Sequence, residues 1–268
     1  MGNRSLRNRV VVVTGASAGI GREAARLFSR EGSHVVAAAR RRNRLEELCS
    51  ELSAAGARCL AVTTDVSQRD QVQRLLDATL EHFGRVDVWV NNAGCGLAGP
   101  IEATSEQDLQ QILAVNFMGV FHGCQVALQQ MRRQGNGHII NVSSLITKFP
   151  LPFHGAYTAA KCAVNGLTEA LALELEGSGI RVSLILPGVT DTEFTQAMVR
   201  RMEDAPSGPS IPAASAGRVA RAIVHCARKP RPVVTCLPAA PVVTAFFELC
   251  PSLWRMAARQ YRKVRGGA

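Results

Sequence analysis

A tyrosine and a lysine, Tyr157 and Lys161, stand four residues apart in a stretch rich in Ala, Leu and Glu. No proline interrupts this stretch, so it predicts one long helix that presents both side chains on the same face. An ammonium group beside a phenol favours the phenolate and lowers the tyrosine pKa from its ordinary value of about 10. The pair could therefore transfer a proton near neutral pH. A surface pair without chemistry is the alternative for these two residues taken alone.

Three glycines, Gly15, Gly19 and Gly21, follow the first apolar run, and a helical pattern begins directly after them. Glycines let the backbone turn sharply and approach a pyrophosphate, whose charge the helix N-terminus then stabilises. The spacing differs from the G-x-G-x-x-G of the general dinucleotide motif. After the first strand of an alternating α/β chain, the loop favours a nucleotide over a plain structural turn.

Arginines occupy the end of the second apolar run, about twenty residues beyond the glycines, where a dinucleotide site selects its ribose. An acid there would bind the 2′-hydroxyl of NAD(H), whereas guanidinium groups bind a 2′-phosphate through charge-assisted hydrogen bonds. No acid is present at this tip. The sequence therefore predicts NADP(H), with Arg40 as the first ligand and Arg41 as the second. A solvated basic turn is the alternative.

Apolar runs of strand length alternate with longer segments of helical periodicity. The predicted strands span residues 10–13, 34–38, 59–63, 86–90, 138–142 and 182–186, and a run at 232–237 could add a last strand. This alternation predicts a parallel sheet with helices on both faces, an α/β, Rossmann-like, doubly wound fold. We expect a single domain over residues 1–268.

Composition bears on the remaining function classes. The 268 residues are 47% hydrophobic, enough for a full core, and the formal charge is +10. The arginines are dispersed, so nucleic-acid binding is not expected. The eight cysteines contain no C-x-x-C pair, so we expect reduced core cysteines rather than a disulfide frame or a metal site. With no recognisable signal peptide or myristoylation motif, a cytoplasmic location is expected.

Two segments depart from the alternating pattern. Residues 191–215 combine a short amphipathic piece with three prolines, and we interpret them as a mobile substrate lid, with a passive connection as the alternative. Residues 238–268 form a C-terminal extension, of which 254–265 carry five basic residues and no acid. The simpler interpretation is a helix beside the substrate cleft with a solvated basic end. Peripheral contact with an anionic membrane is the alternative.

Taken together, these motifs resemble those of the short-chain dehydrogenase/reductase family. The resemblance covers residues 9 to about 192 and rests on the order and spacing of several motifs. The matching segments are the cofactor loop Thr14-Gly15-x-x-x-Gly19-Ile20-Gly21, the adenine-contacting pair Asp65-Val66, the fourth-strand motif Asn91-Asn92-Ala93-Gly94, the sixth-strand turn Pro187-Gly188, and the catalytic set Asn116, Ser144, Tyr157 and Lys161.

The resemblance implies a seven-stranded parallel sheet and hydride transfer between a nicotinamide cofactor and a carbonyl or alcohol. Ser144 would hydrogen-bond the substrate oxygen, and Tyr157 would donate or remove its proton. Lys161 would lower the pKa of Tyr157 and bind the nicotinamide ribose, and Asn116 would hold a water that links Lys161 to solvent. The structural alternatives are a strand-end hydroxyl for Ser144 and a buried helix amide for Asn116.

The cofactor-binding set combines the arginine argument with the resemblance. Its members are Gly15, Ser17, Gly19, Ile20, Gly21, Arg40, Arg41, Asp65, Val66, Asn91, Ala93, Gly94, Tyr157, Lys161, Pro187, Gly188, Thr190 and Thr192. Asn91 is expected next to the cofactor and Asn92 in the framework. Either Thr190 or Thr192 could contact the carboxamide. No metal site is expected.

Apolar residues around the expected site predict a hydrophobic ketone or alcohol as substrate. They are Cys95, Leu97, Leu145, Ile146, Phe149, Leu151, Phe153, Val189 and Phe194. A catalytic role for the nearby His154 is not favoured. The resemblance also implies a homodimer or homotetramer through helices near 105–133 and 156–176. A non-catalytic NADP(H)-binding sensor and a Rossmann-like methyltransferase are competing hypotheses, and the Tyr157 and Lys161 pair speaks against both.

Overall fold

Strands and helices alternate along the chain in a computed structural model of the protein. The structure describes residues 4–201, 213–237, 249–250, 252–256 and 258–259. The middle of the predicted lid and most of the predicted C-terminal extension lie outside these residues. All of the predicted strands lie within them.

Seven parallel strands form the central sheet, in the order β11-β7-β6-β4-β1-β2-β3, so the predicted fold class is confirmed. The strands of the chain are β1 (Val10–Thr14), β2 (His34–Ala39), β3 (Cys59–Thr63), β4 (Val88–Asn91), β5 (Leu97–Ala98), β6 (Gly137–Val142), β7 (Ile180–Leu186), β8 (Thr190–Asp191), β9 (Val199–Arg200), β10 (Ala214–Ser215) and β11 (Val233–Thr235). The strand order reverses between β1 and β4, which opens a crevice at their carboxyl ends.

Helices cover both faces of this sheet. They are α1 (Gly19–Arg30), α2 (Arg42–Ala54), α3 (Arg69–Phe83), α4 (Glu106–Leu113), α5 (Gly119–Gln134), α6 (Gly155–Glu174), α7 (Glu193–Gln196) and α8 (Ala216–Arg228). The side chain of Ser105 accepts from the backbone N–H of Asp108, and the Asp108 carboxylate accepts from that of Ser105, so a capping box starts α4. A π-helical turn, Ala114–Met118, joins α4 to α5.

The sheet separates two hydrophobic cores. Val10 and Val12 of β1 belong to the core with α3, α5 and α6, whereas Val11 and Val13 belong to the core with α1, α2 and α8. All four are at most 1% exposed, and full burial of one valine side chain stabilises by about 1.5–3 kcal/mol. A strand that is buried on both faces has a continuous apolar sequence, and β1 can therefore be recognised from the sequence.

One pair of cysteines differs from the prediction that all eight are reduced. Cys49 of α2 and Cys59 of β3 form a disulfide, with their Cα atoms 5.1 Å apart. The expectation of reduced cysteines throughout is therefore wrong for this pair, because the turn after α2 brings the helix back alongside the edge strand. Cys162 is exposed, whereas Cys124, Cys226 and Cys236 are free and buried as expected.

Among the described residues, one helical stretch, Glu106–Gln134, is long and apolar enough by length and composition to span a membrane. Half of the residues in its most apolar 18-residue segment are buried inside the protein, where α5 packs against α3, β4 and β6. A buried core helix passes the same test, so this stretch is weak evidence for a membrane span.

Candidate active site

A cleft of about 1110 Å³ opens at the carboxyl ends of the sheet strands. The predicted site residues that line it are Gly15, Ser17, Gly19, Ile20, Arg40, Arg41, Asp65, Val66, Ala93, Gly94, Ser144, Tyr157, Lys161, Pro187, Gly188, Thr190 and Thr192. Gly21, Asn91 and Asn116 are not part of its lining. The fold thus brings most of the predicted set to one surface.

The glycine loop is shaped by close approach to the end of β4. Gly15 has a φ of +70°, and a Cβ atom there would lie 2.9 Å from the Cα of Ala93, so a side chain is excluded. Gly21 lies under the loop, where a Cβ would meet the carbonyl oxygen of Gly15 and the side chain of Asn92. Gly21 therefore lets α1 approach the loop, and the predicted contact between Gly21 and the cofactor stays a prediction.

Asn91 lies away from the cleft, where it was not expected, whereas Asn92 makes the framework contact expected of it at the edge of the cleft. Asn91 is buried, accepts a hydrogen bond from Trp89 Nε1 at 2.8 Å and donates to Asn141 Oδ1 at 2.8 Å, so it joins β4 to β6 inside the core. Asn92 lines the cleft and donates from Nδ2 to the carbonyl of Thr14 at 2.9 Å. Alternation along the strand decides this, because successive side chains point to opposite faces.

Ser144, Tyr157 and Lys161 meet on the wall of the cleft opposite the glycine loop. Ser144 follows β6 and caps a 3₁₀ turn, Leu145–Thr147, and its side chain hydrogen-bonds the Tyr157 hydroxyl. Lys161 Nζ donates to the Val142 carbonyl at 3.0 Å and lies 5.9 Å from the centroid of the Tyr157 ring. A hydroxyl pair and a buried amine therefore share one corner of the cleft.

Burial determines the protonation of this corner. It raises the pKa of the Tyr157 hydroxyl well above its ordinary value, and the hydrogen bond from Ser144 opposes this only in part. It lowers the pKa of the Lys161 amine to about 8. Lys161 is bonded to the backbone carbonyl of Val142, and its predicted lowering of the pKa of the half-buried Tyr157 stays a prediction. Tyr157 is a protonated phenol, poised to donate.

Asn116 lies in the π-helical turn and is fully buried. Its Nδ2 donates to the carbonyl of Cys95 at 2.9 Å and its Oδ1 accepts from the N–H of Cys95 at 3.1 Å. The side chain therefore holds the backbone that follows Gly94 along the floor of the cleft. The water that Asn116 is expected to hold, as a link between Lys161 and solvent, stays a prediction.

The two arginines after β2 differ in their surroundings. Arg40 is exposed and lines the cleft. Arg41 Nε and Nη2 donate to Ser17 Oγ at 3.2 and 3.1 Å, and its Nη1 donates to Glu193 Oε2 at 2.8 Å. The predicted cationic corner is therefore present, next to the glycine loop.

The described part of the predicted lid comprises residues 191–201 and 213–215, and several residues of the first segment line the cleft. β9 pairs with β5, and Arg201 forms two hydrogen bonds with the Asp108 carboxylate at 2.9 and 2.7 Å. The ring of Phe194 lies 5.8 Å from that of Tyr157. Thr192 caps α7 and packs against Gly19, whereas the Thr190 hydroxyl donates to the Gly188 carbonyl.

The substrate side of the cleft is apolar, as predicted. Its walls include Cys95, Leu145, Ile146, Phe149, Leu151, Phe153, Val189 and Phe194, together with His154. Leu97 is the exception, because in β5 it is buried in a small core with Ile112 and Ala160. Trp254 of the C-terminal extension also lines the cleft, and its ring lies 5.3 Å from that of Phe149.

Sequence reasoning missed three residues of this site. Glu193 pairs with Arg41 across 152 positions of sequence, and no local pattern signals such a contact. Met198 approaches Gly96 at the lid in the same unpatterned segment. Thr14 was noted only as part of the loop, yet its Oγ1 accepts from the backbone N–H groups of Asn92 and Ala93 at 3.0 and 3.1 Å.

Comparison with known proteins agrees with this geometry. The family model described as short chain dehydrogenase matches residues 9–203. The 3beta-hydroxysteroid dehydrogenase 1 of Eggerthella lenta is 42% identical over 189 residues, which is 70% of this chain and 72% of that protein.

Solved structures share the whole fold. A short chain dehydrogenase/reductase from Burkholderia phymatum in complex with NAD has a TM-score of 0.84 and 31% identity, covering 93% of this chain and 96% of that one. A metagenomic short-chain oxidoreductase in complex with NADP has a TM-score of 0.74 and 32% identity, covering 87% and 98%.

A doubly wound sheet with a glycine loop and a Ser, Tyr and Lys corner defines a nucleotide-dependent oxidoreductase. The chain belongs to the short-chain dehydrogenase/reductase family. It is an oxidoreductase of the kind that interconverts CH–OH and C=O groups.

Proposed function

We propose that the protein is an NADP(H)-dependent reductase of a hydrophobic ketone, or the dehydrogenase of the corresponding secondary alcohol. The observation that carries this proposal is the convergence of Ser144, Tyr157 and Lys161 on one cleft with the glycine loop. A non-catalytic sensor would have no need of a phenol on the cleft wall beside a serine hydroxyl.

The loop residues fit a dinucleotide. Gly15 and Gly19 leave backbone without side chains at the start of α1, where a pyrophosphate would be held. Asp65 and Val66 would hold the adenine, and Arg40, Arg41 and Ser17 would hold a 2′-phosphate. Ala93, Gly94, Pro187, Gly188 and the two threonines after them would surround the nicotinamide. The bound cofactor supplies the hydride.

The chain's own residues position and protonate the substrate oxygen. The Ser144 hydroxyl would hydrogen-bond that oxygen and stabilise its developing charge. Tyr157, kept protonated by burial, would donate its proton to the oxygen in reduction. Lys161, whose pKa is lowered to about 8, would restore that proton through bound water.

The substrate class follows from the walls of the cleft. Phe149, Leu151, Phe153 and Phe194 offer a broad apolar surface beside Tyr157, which suits a bulky alicyclic ketone. The Eggerthella lenta relative is named a 3beta-hydroxysteroid dehydrogenase, which supports placing steroid ketones first in a substrate screen. We also propose that residues 191–215 act as a lid over this substrate within a single-domain enzyme.

Cofactor preference is tested by isothermal titration of NADPH and NADH into wild type and Arg40→Ala. We expect wild type to prefer NADPH and Arg40→Ala to lose about tenfold or more of that affinity, since a charge-assisted phosphate contact contributes about 1.5–3 kcal/mol. NADH binding should change little. Arg42→Ala is the matched control, because Arg42 is exposed and pairs with Glu46 at 2.7 Å. Equal loss in both variants, or NADH preference in wild type, would contradict the NADP(H) assignment.

Self-association is proposed through α4, α5 and α6. Leu109, Met118 and Leu173 on these elements are 37%, 36% and 70% exposed, and apolar side chains at such positions suit a face between copies. A homodimer or homotetramer is therefore proposed, acting in the cytoplasm.

Peripheral membrane contact is proposed through the C-terminal extension. Leu249, Leu253 and Met256 are exposed at helical spacing and lie among arginines, while Trp254 faces the cleft. Wild type should co-sediment with phosphatidylglycerol vesicles but not with phosphatidylcholine vesicles, and Leu249→Glu/Met256→Glu should sediment less. Identical behaviour of wild type and this variant would exclude the contact.

A further inference from the structure

A carboxylate lies at the position where the second cofactor arginine would meet a phosphate. Glu193 Oε2 is 2.8 Å from Arg41 Nη1, and the other two nitrogens of that guanidinium donate to Ser17 Oγ. Glu193, Arg41 and Ser17 all line the cleft. All three nitrogens of Arg41 are therefore engaged by neighbours within the proposed 2′-phosphate corner.

Charge makes this arrangement unfavourable for a phosphate. Arg41 holds the pKa of the Glu193 carboxyl below its ordinary value, and Arg44 and Arg22 act in the same direction. Glu193 is therefore an anion at neutral pH, where a phosphate monoester carries a charge of about −1.5 to −2. The two anions require the same guanidinium and repel each other.

Arg40 provides a contrast. It is exposed and lines the same cleft, and its guanidinium forms no hydrogen bond or ion pair with the residues that the structure describes. One guanidinium of the corner is thus open and the other is occupied. A 2′-phosphate could approach Arg40 directly, whereas at Arg41 it would meet the Glu193 carboxylate on Nη1.

The carboxylate belongs to the segment that covers the substrate. Glu193 is the first residue of α7, directly after the cap residue Thr192 and directly before Phe194, whose ring contacts Tyr157. The carboxylate that meets Arg41 and the ring that contacts Tyr157 are therefore carried by adjacent residues of α7.

We propose that Glu193 is a cofactor-specificity residue that occupies Arg41 and opposes binding of a 2′-phosphate. A 2′-phosphate competes with this carboxylate for Arg41 and is repelled by its charge. The inference rests on the proposed NADP(H) function. It predicts that the preference for NADPH is smaller than two free arginines would produce.

The test is isothermal titration of NADPH, NADH and 2′,5′-ADP into wild type, Glu193→Gln and Glu46→Gln. Glutamine keeps the shape of the side chain and removes its charge. We expect Glu193→Gln to tighten NADPH and 2′,5′-ADP by about two- to fivefold, the range for an exposed ion pair, and to leave NADH unchanged. Glu46 is the matched control, because it pairs with Arg42 on α2 and does not line the cleft. In a protein that also carries Arg41→Ala, Glu193→Gln should increase the affinity for NADPH and 2′,5′-ADP by less.

The outcomes separate this inference from the proposed function. No change in Glu193→Gln, an equal change for NADH, or the same gain in Glu46→Gln would overturn the role of Glu193. Failure of wild type to bind either cofactor would instead contradict the proposed function. If wild type prefers NADH, a gain for 2′,5′-ADP in Glu193→Gln still supports the role of Glu193.

Discussion

Replacing Tyr157 with phenylalanine should lower kcat/KM by about 10³-fold or more while leaving cofactor affinity within about twofold, because a positioned general acid contributes about 10²–10⁴-fold. Phenylalanine keeps the ring beside Phe194, at the 5.8 Å centroid distance, and removes only the hydroxyl that bonds Ser144. Steady-state kinetics with a ketone substrate found by screening, together with titration of NADPH, would measure both quantities.

The neighbouring threonine supplies the control for this experiment. Thr158 Oγ1 is buried without a hydrogen-bond partner among the described residues, so Thr158→Val should keep kcat/KM within about threefold of wild type, in line with an ordinary minor substitution. A Tyr157→Phe enzyme that retained a tenth of wild-type activity would show that another group protonates the substrate.

Acid should destabilise the protein through His138. This residue of β6 is 2% exposed, and burial, with Arg4 and Arg181 adding to it, lowers the pKa of His138 to about 3. Its Nε2 lies 2.8 Å from Ser183 Oγ. The unfolded chain binds a proton at this residue near pH 6.5, whereas the folded chain does not. The stability linked to neutral His138 is therefore fully present above pH 6.5 and is lost as the pH falls toward 3.

A difference of one bound proton between the unfolded and the folded chain changes the free energy of unfolding by about 1.4 kcal/mol per pH unit. His138 should therefore lower the free energy of unfolding by about 2–3 kcal/mol between pH 6.5 and 4.5. Urea unfolding followed by circular dichroism at several pH values would measure it. His138→Gln should show a shallower decline of unfolding free energy, while His82→Gln, which changes an exposed histidine of α3, should match wild type. Parallel declines in all three proteins would refute the assignment to His138.

The sheet was predictable because its physical signal is local. The central strands are buried on both faces by flanking helices, so their apolar runs stand out from the polar turns. The ends of β1 and of the half-buried edge strand β3 lie within one residue of the predicted ends. The proximity of the three proposed catalytic residues was predictable for a similar reason. Tyr157 and Lys161 lie on one helix, and Ser144 ends a neighbouring strand.

The errors concern contacts that no local pattern encodes. Whether Asn91 or Asn92 faces the cleft depends on which side chains of β4 point to each face of the sheet. The hydrogen bonds of Asn91 with Trp89 and Asn141 in the core fix that orientation. The Cys49 and Cys59 pair forms only because α2 returns to the edge strand. The ionisation of Tyr157 depends on how deeply the assembled cleft encloses it.

The two tryptophans of the chain occupy very different environments. Trp89 is fully enclosed in the core and bonded to Asn91, whereas Trp254 lies at the mouth of the cleft against Phe149. Intrinsic fluorescence therefore carries two separable signals. One arises from an indole whose emission reports whether the sheet is intact, and the other from an indole at the place where a substrate would arrive, so the protein contains its own optical probe of occupancy.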